Sequence, residues 1–407
     1  MTVSHIVILF VALLGMAAIA EPLARFIRLP YSSVLVLLGF CAGQLIEFSE
    51  VQTGLQAENF QELVFYVFIP ALIFESAYQL DLRLLRENIG NILLLAIVGL
   101  LLTTCITAVG MYYGIAHASG FPWIAALLTG ALLAATDPVA VVSQLRAVGA
   151  PPRLAMLLEG ESLFNDATAI VLFTLLLTLA TASGAQVSAG ASVLQFGYVF
   201  IGGIVVGGIV GALSLPAFRV VNGHSTHYIL TLVAAYGAFI LAEHWLEVSG
   251  VMAVLMAGLI AARSSMNINT AEDHQRVAEN WETLGHIANA LIFLLLGITI
   301  TIAMFEERWL AMLIGIAAVF FARALSIFAV LFLSNLFSKN TVPAAYQTVM
   351  VWGGLRGAVT LALALSLPTE LPYWWTIQSV AFGVVLFTLF LQAPTTPWLL
   401  RRLKLNT

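Results

Sequence analysis

Uninterrupted apolar runs of about 20 residues recur from one end of the chain to the other, and runs of that length have one stable environment. A helix needs roughly 20 apolar residues to cross a hydrocarbon core about 30 Å thick, and in that medium only helices or closed barrels satisfy their own backbone. The runs are continuous rather than alternating with polar residues, which excludes an outer-membrane barrel. Of the 407 residues 61% are apolar and only 9% charged, against roughly 45–50% and 25% in soluble domains, so a soluble enzyme domain is excluded too. At about 30 residues per span and turn, the length accommodates roughly 13 spans and little else. Charge is sparse, with a net of −5, and no nucleic-acid partner is expected. Cys41 and Cys105 both lie within apolar runs, which predicts packed small side chains rather than a disulfide. Met1 to His5 carry no Lys or Arg, so a retained first span is expected rather than a cleaved signal peptide.

Cutting at charged, Pro-rich and polar stretches gives segments near 4–20, 31–49, 60–79, 91–114, 121–143, 154–181, 192–218, 227–244, 249–262, 283–304, 309–337, 344–367 and 374–397. The ninth is short and needs neighbouring residues to reach across. Basic residues alternate with the segments. Thirteen of them follow odd-numbered segments, among them Arg25, Arg83, Arg146, Arg153, Arg276 and Arg401, whereas Arg308 alone follows an even-numbered one. The positive-inside rule therefore places the N-terminus outside and the C-terminus in the cytoplasm. An odd count permits two six-span halves of inverted topology joined by the seventh span. In such a plan the fifth element of each half carries a breaker and a charge: Thr136-Asp137-Pro138 in span five, and Gly353-Gly354-Leu355-Arg356-Gly357 in span twelve. Either interruption alone is an ordinary kink, but a matched pair marks a binding site. Gly203, Gly207 and Gly211, four residues apart, put a small-residue stripe on one face of span seven for helix packing. The polar stretch 263–282, with Val277 and Trp281 at helical spacing, reads as an interfacial helix or a solvated loop.

A charge at the bilayer centre costs about 2.5–3.5 kcal/mol even on lenient scales, so each one must be paired, solvated or working. Six qualify: Glu75, Asp137, Glu161, Asp166, Arg323 and Arg356. Four acids face two bases, so if both arginines pair with acids, two carboxylates are left for a cation or a proton. Glu159 lies nearer the cytoplasmic end and reads as interfacial. On span six, Glu161, Ser162, Asn165 and Asp166 form one polar stripe, at about 100° per residue. Ser162 and Asp166 offer hard oxygens that suit an alkali cation, and Asn165 adds hydrogen bonds without charge. A buried polar network that merely stabilises the bundle is the competing reading, and an Asp amid so much apolar surface weakens it. Apolar surroundings favour the neutral form of a carboxyl group while a bound cation favours the ionised form, so the two ligands compete. A site that holds either one and opens alternately to two sides is an exchanger.

These residues resemble a known family. Thr136-Asp137-Pro138, the run from Glu159 to Asp166, Phe321-Ala322-Arg323-Ala324 and Gly353-Gly354-Leu355-Arg356-Gly357-Ala358 resemble the NhaP-type sodium/proton antiporters, relatives of the animal sodium/hydrogen exchangers, in motif order along the whole chain. The resemblance implies that Asp166 binds both cation and proton, with Ser162, Thr136 and Glu75 completing the site, and that no resident cofactor is needed. It implies electroneutral exchange from the Asn165-Asp166 pair, a structural ion pair of Glu161 with Arg323, and neutralisation of the crossing helices by Asp137 and Arg356. It further implies a homodimer embedded in lipid, in which residues 91–181 and 309–397 form a moving core against a dimerisation part, 1–79 and 192–304. The chain ends within about ten residues of the last predicted span, so no large regulatory cytoplasmic domain is expected. A sodium-coupled symporter of an organic solute would show an extra polar substrate cluster, and none is visible. An intramembrane aspartyl protease using Asp137 and Asp166 would need a Gly-x-Gly-Asp-like setting, which neither residue has.

Overall fold

The computed structural model describes residues 3–27, 29–48, 63–115, 121–181, 189–221, 223–268, 271–337 and 340–405. All regular structure among them is helical: α1 (Val3–Ile27), α2 (Tyr31–Phe48), α3 (Val64–Gln79), α4 (Leu82–Gly114), α5 (Trp123–Ala134), α6 (Val139–Ala147), α7 (Pro152–Thr181) and α8 (Ala189–Val220). There follow α9 (His224–Trp245), α10 (Gly250–Ile268), α11 (Ala271–Thr299), α12 (Ile302–Phe337), α13 (Ala344–Trp352), α14 (Ala358–Leu365) and α15 (Trp374–Arg402). Among the described residues nine stretches are long and apolar enough to cross a membrane, with α5 and α6 taken together, and α2, α3 and α10 are shorter apolar helices. The protein is therefore a polytopic helical membrane protein. Its outer faces carry exposed apolar side chains such as Leu194, Leu213, Phe332 and Phe337, as a surface solvated by lipid requires.

The helices pack through small residues. The stripe on α8 meets α10: a side chain on Gly203 would strike Met252 and the Ser249 carbonyl, and one on Gly207 would strike the Ala253 backbone. Without a hydrophobic force between helices in lipid, such close backbone approach supplies the dispersion contact that holds them. Cys41 and Cys105 correct one expectation. Both lie on exposed faces rather than packed inside, where a small, weakly polar thiol costs little against lipid.

The described residues of the stretch 263–282 are helical, which favours the helix over the solvated loop. α10 continues to Ile268 and α11 begins at Ala271, with Val277 and Trp281 buried. The Trp281 indole N–H donates to Thr231 Oγ1 of α9 (2.9 Å). One apolar face thus continues through a segment whose exposed side is polar, and composition alone reads such a segment as a turn. α4 likewise starts at Leu82 rather than near 91, because the Asp81 carboxylate accepts from the Arg83 and Leu84 N–H groups and caps the helix within a charged stretch. The gap between the tenth and eleventh segments falls at residues 300–301, so Glu306 and Arg308 lie inside α12.

Candidate cation site

Two interrupted helices cross at the centre of the fold. α5 ends at Ala134 and the chain runs through Ala135-Thr136-Asp137-Pro138 before α6 starts, while Gly353–Gly357 separates α13 from α14. The breaks bond to each other: the Asp137 N–H donates to the Leu355 carbonyl (2.8 Å). Each break leaves carbonyls of one half-helix and N–H groups of the next without intrahelical partners, and each set carries about half a unit charge.

Three charged side chains meet those ends. Arg356 Nη1 donates to the Ala134 (2.9 Å) and Ala135 (2.7 Å) carbonyls at the C-terminus of α5. Arg323 Nη2 reaches the Met350 carbonyl (3.2 Å) at the C-terminus of α13. The Asp137 carboxylate accepts from the Val139 N–H (3.1 Å) at the start of α6, and it fills the space that a side chain on Gly357, the residue before α14, would need. Only glycine fits at that position.

α7 runs past the crossing and presents its polar stripe to it. Arg323 holds Glu161 bidentately, with Nη1–Oε1 at 2.5 Å and Nη2–Oε2 at 2.7 Å, both side chains at most 7% exposed. Asn165 Nδ2 donates to Glu161 Oε1 (3.0 Å) and to Thr136 Oγ1 (2.8 Å). The Thr136 N–H is shared between Asn165 Oδ1 (3.3 Å) and Asp166 Oδ1 (3.2 Å), and the Ser162 hydroxyl donates to the Thr136 carbonyl. Asp166 forms no ion pair among the described residues. It is partly exposed to a cavity of about 510 Å³ whose lining includes Thr136, Asp137, Ser162 and Glu75. The cavity lining extends to the ends of α3 and α6, where Arg146 pairs with Glu159 (2.6 Å).

The structure thus brings Asp166, Ser162, Thr136, Asn165, Asp137 and Glu161 into one cluster, with Arg323 and Arg356 behind it. Glu75 reaches the same cavity from the opposite wall. Its carboxylate lies against the α11 backbone at Gly285 and accepts a long bond from Gln79 Nε2 (3.4 Å). Of the two bases only Arg323 pairs with an acid; Arg356 binds backbone carbonyls and no carboxylate within ion-pair distance among the described residues, so the condition that both arginines pair with acids is not met. Glu282, His286 and Asn289 of α11 also line the cavity and escape the sequence reading. Their spacing of three to four residues puts them on one face of α11; the cut at 282 separates Glu282 from His286 and Asn289, which lie within the predicted tenth segment but carry no formal charge to mark them.

Comparisons with known proteins agree with this architecture. The family described as "Sodium/hydrogen exchanger, transmembrane" matches residues 8–402. The chain is 36% identical to the Na(+)/H(+) antiporter ApNhaP of Aphanothece halophytica over 96% of its own length and 73% of that protein's. It is 34% identical to the Na(+)/H(+) antiporter NhaP of Pseudomonas aeruginosa, covering 93% of this chain and 92% of that one. Its fold superposes on the sodium proton antiporter MjNhaP1 of Methanocaldococcus jannaschii with a TM-score of 0.83 at 22% identity, over 97% of this chain and 100% of that one. A continuous match across both broken helices and the polar stripe of α7 places the chain in the sodium/hydrogen exchanger family.

Proposed function

We propose that this transporter, an antiporter and not an enzyme, exchanges a monovalent cation, Na+ or Li+, for H+ by letting the two compete for Asp166. One observation carries this reading: Asp166 reaches a cavity beside the oxygens of Ser162 and Thr136 with no ion-pair partner among the described residues, whereas Glu161, on the same helix, is fully engaged by Arg323. A carboxylate, a hydroxyl and a carbonyl are the hard donors an alkali ion takes. Glu75 supplies a further oxygen from the facing wall. The Ser162 hydroxyl, which donates to the Thr136 carbonyl, turns on cation binding so that both oxygens face the ion. Asn165 orients Thr136 without adding charge, which fits an electroneutral one-for-one exchange with no resident cofactor. Neither a solute symporter nor a protease is supported by the family.

The chain is further proposed to cross the membrane thirteen times as two inverted halves, with the N-terminus outside and the C-terminus in the cytoplasm of a plasma membrane. The cavity then opens to the cytoplasm. The core, 91–181 and 309–397, moves against 1–79 and 192–304, and a second copy pairs through the latter part within the lipid. The bonding pattern supports two bodies: Glu161–Arg323, Arg356–Ala134 and Thr103–Ser326 (3.0 Å) lie within the core region, whereas Trp281–Thr231, Tyr236–Val67 (2.8 Å) and Gly250–Glu243 (2.9 Å) lie within the other. The test is Asp166→Asn in proteoliposomes carrying a pH-sensitive dye. Loss of Na+- and Li+-driven proton flux in a correctly folded protein is expected, and retained exchange removes Asp166 from the role. Insensitivity of the rate to an imposed potential checks electroneutrality.

A further inference from the structure

Among the described residues a buried hydrogen bond joins the two proposed bodies. Ser33, in the first turn of α2 and fully buried, donates from its hydroxyl to the Leu389 carbonyl of α15 (3.0 Å). That carbonyl is open for a local reason. Residues 388–392 form a single π turn, in which the Ala393 N–H reaches back five residues to the Thr388 carbonyl. Ala393 is the donor that an α-helix would direct to Leu389. The next candidate, the π-pattern donor at position 394, is a proline and has no N–H. The Ala393-Pro394 pair therefore deprives the Leu389 carbonyl of both regular donors inside its own helix, and a serine from the other body supplies one.

We propose that Ser33 and the Leu389 carbonyl form a latch that holds the transporter with its cavity open toward the Arg83, Arg146 and Arg153 face, and that the latch must release each time the core shifts. The bond joins an element of the stationary part to an element of the core, so any relative displacement of the bodies by more than a fraction of an ångström breaks it. A hydroxyl and a carbonyl separated in a dry interior both lose their partner, so the latched orientation is favoured and the released one disfavoured. A net hydrogen bond in this setting weights the two orientations by about fivefold. The latch leaves the ion chemistry alone, since neither group lines the cavity. It sets how long the open orientation persists, and it rests on the two-body reading given above.

The test uses the full chain in vesicles, with Cys41 and Cys105 replaced by serine and Ser76→Cys as a reporter on the cavity wall. A membrane-impermeant maleimide applied from the basic face reads the open orientation. In the Ser33→Ala background the open-to-closed ratio is expected to fall about fivefold. Pro394→Ala, at an exposed position, restores a backbone donor within α15 and weakens the need for Ser33, so it should shift the ratio in the same direction with Ser33 intact. Combining the two should add little to either alone. Unchanged labelling in both single variants overturns the latch, and if Ser33→Ala fails to fold, an unchanged ratio in Pro394→Ala overturns it alone. Failure of the underlying reading looks different: the parent's labelling would then not respond to a sodium gradient in either direction. A parent that responds, with variants that do not differ from it, sinks the latch only.

Discussion

The two helix breaks differ in how each half-helix end is neutralised. At the first break, Pro138 and the short polar run expose the α5 carbonyls to Arg356, a residue contributed by the second break. At the second, five residues rich in glycine let the chain turn beside the Asp137 carboxylate, and the α13 carbonyl end is met by Arg323 from α12. The two C-termini thus take one guanidinium each, while the two N-termini share one carboxylate. The crossing consumes Arg356, Asp137 and part of Arg323 in offsetting helix-end charge. Asp166 is therefore left without an ion-pair partner among the described residues because the bases nearby are already engaged.

That asymmetry can be broken at its strongest point first. Arg323→Ala removes both the partner of Glu161 and a cap on α13, and a stranded buried carboxylate costs about 3–5 kcal/mol. A large fall in the melting temperature of the detergent-purified protein is expected, with a smaller effect on cation KM in the fraction that folds. Arg356→Ala should come next, at roughly 2–4 kcal/mol, because two carbonyls lose a charged donor while no carboxylate loses its ion pair. Equal losses for the two variants would contradict the assignment of Arg356 to helix ends. Gly357→Ala should abolish exchange with a stability loss of about 1–3 kcal/mol, since the new methyl displaces Asp137.

Competition at Asp166 predicts a kinetic effect of known sign. Lowering the pH fills the carboxylate with protons, so the apparent KM for Na+ should rise by up to about tenfold per pH unit on the acid side while the maximal rate is little changed. A pH-independent KM would refute competition. The smallest effect is expected from Thr360→Val. Its hydroxyl reaches the Ala135 carbonyl at only 3.4 Å, and Arg356 already serves that carbonyl. A stability change below about 0.5 kcal/mol should follow.

Much of the site is legible in the sequence. Glu161, Ser162, Asn165 and Asp166 lie on one helix at spacings that put them on one face, and the paired breaks at Thr136–Pro138 and Gly353–Gly357 pointed to their crossing. The partner choices were not legible. From the sequence, Arg356 is one more cation able to neutralise an acid; in the folded chain it binds the Ala134 and Ala135 carbonyls, groups that every residue carries and no motif advertises. Glu282 was missed for a related reason. α11 extends its helix through a polar stretch, and only packing against α9 shows that Trp281 belongs to a buried face.

By itself the sequence determined the environment and the chemistry available. A chain this apolar must bury its backbone in helices across lipid, and the few charges left inside must work or be neutralised, since free energies of several kcal/mol attach to each. Tertiary structure alone decided which charge is free. Backbone carbonyls at interrupted helix ends compete with carboxylates for the same guanidinium groups, and the outcome depends on distances of 1 Å or less between helices far apart in the chain, which residue spacing within any one helix does not encode.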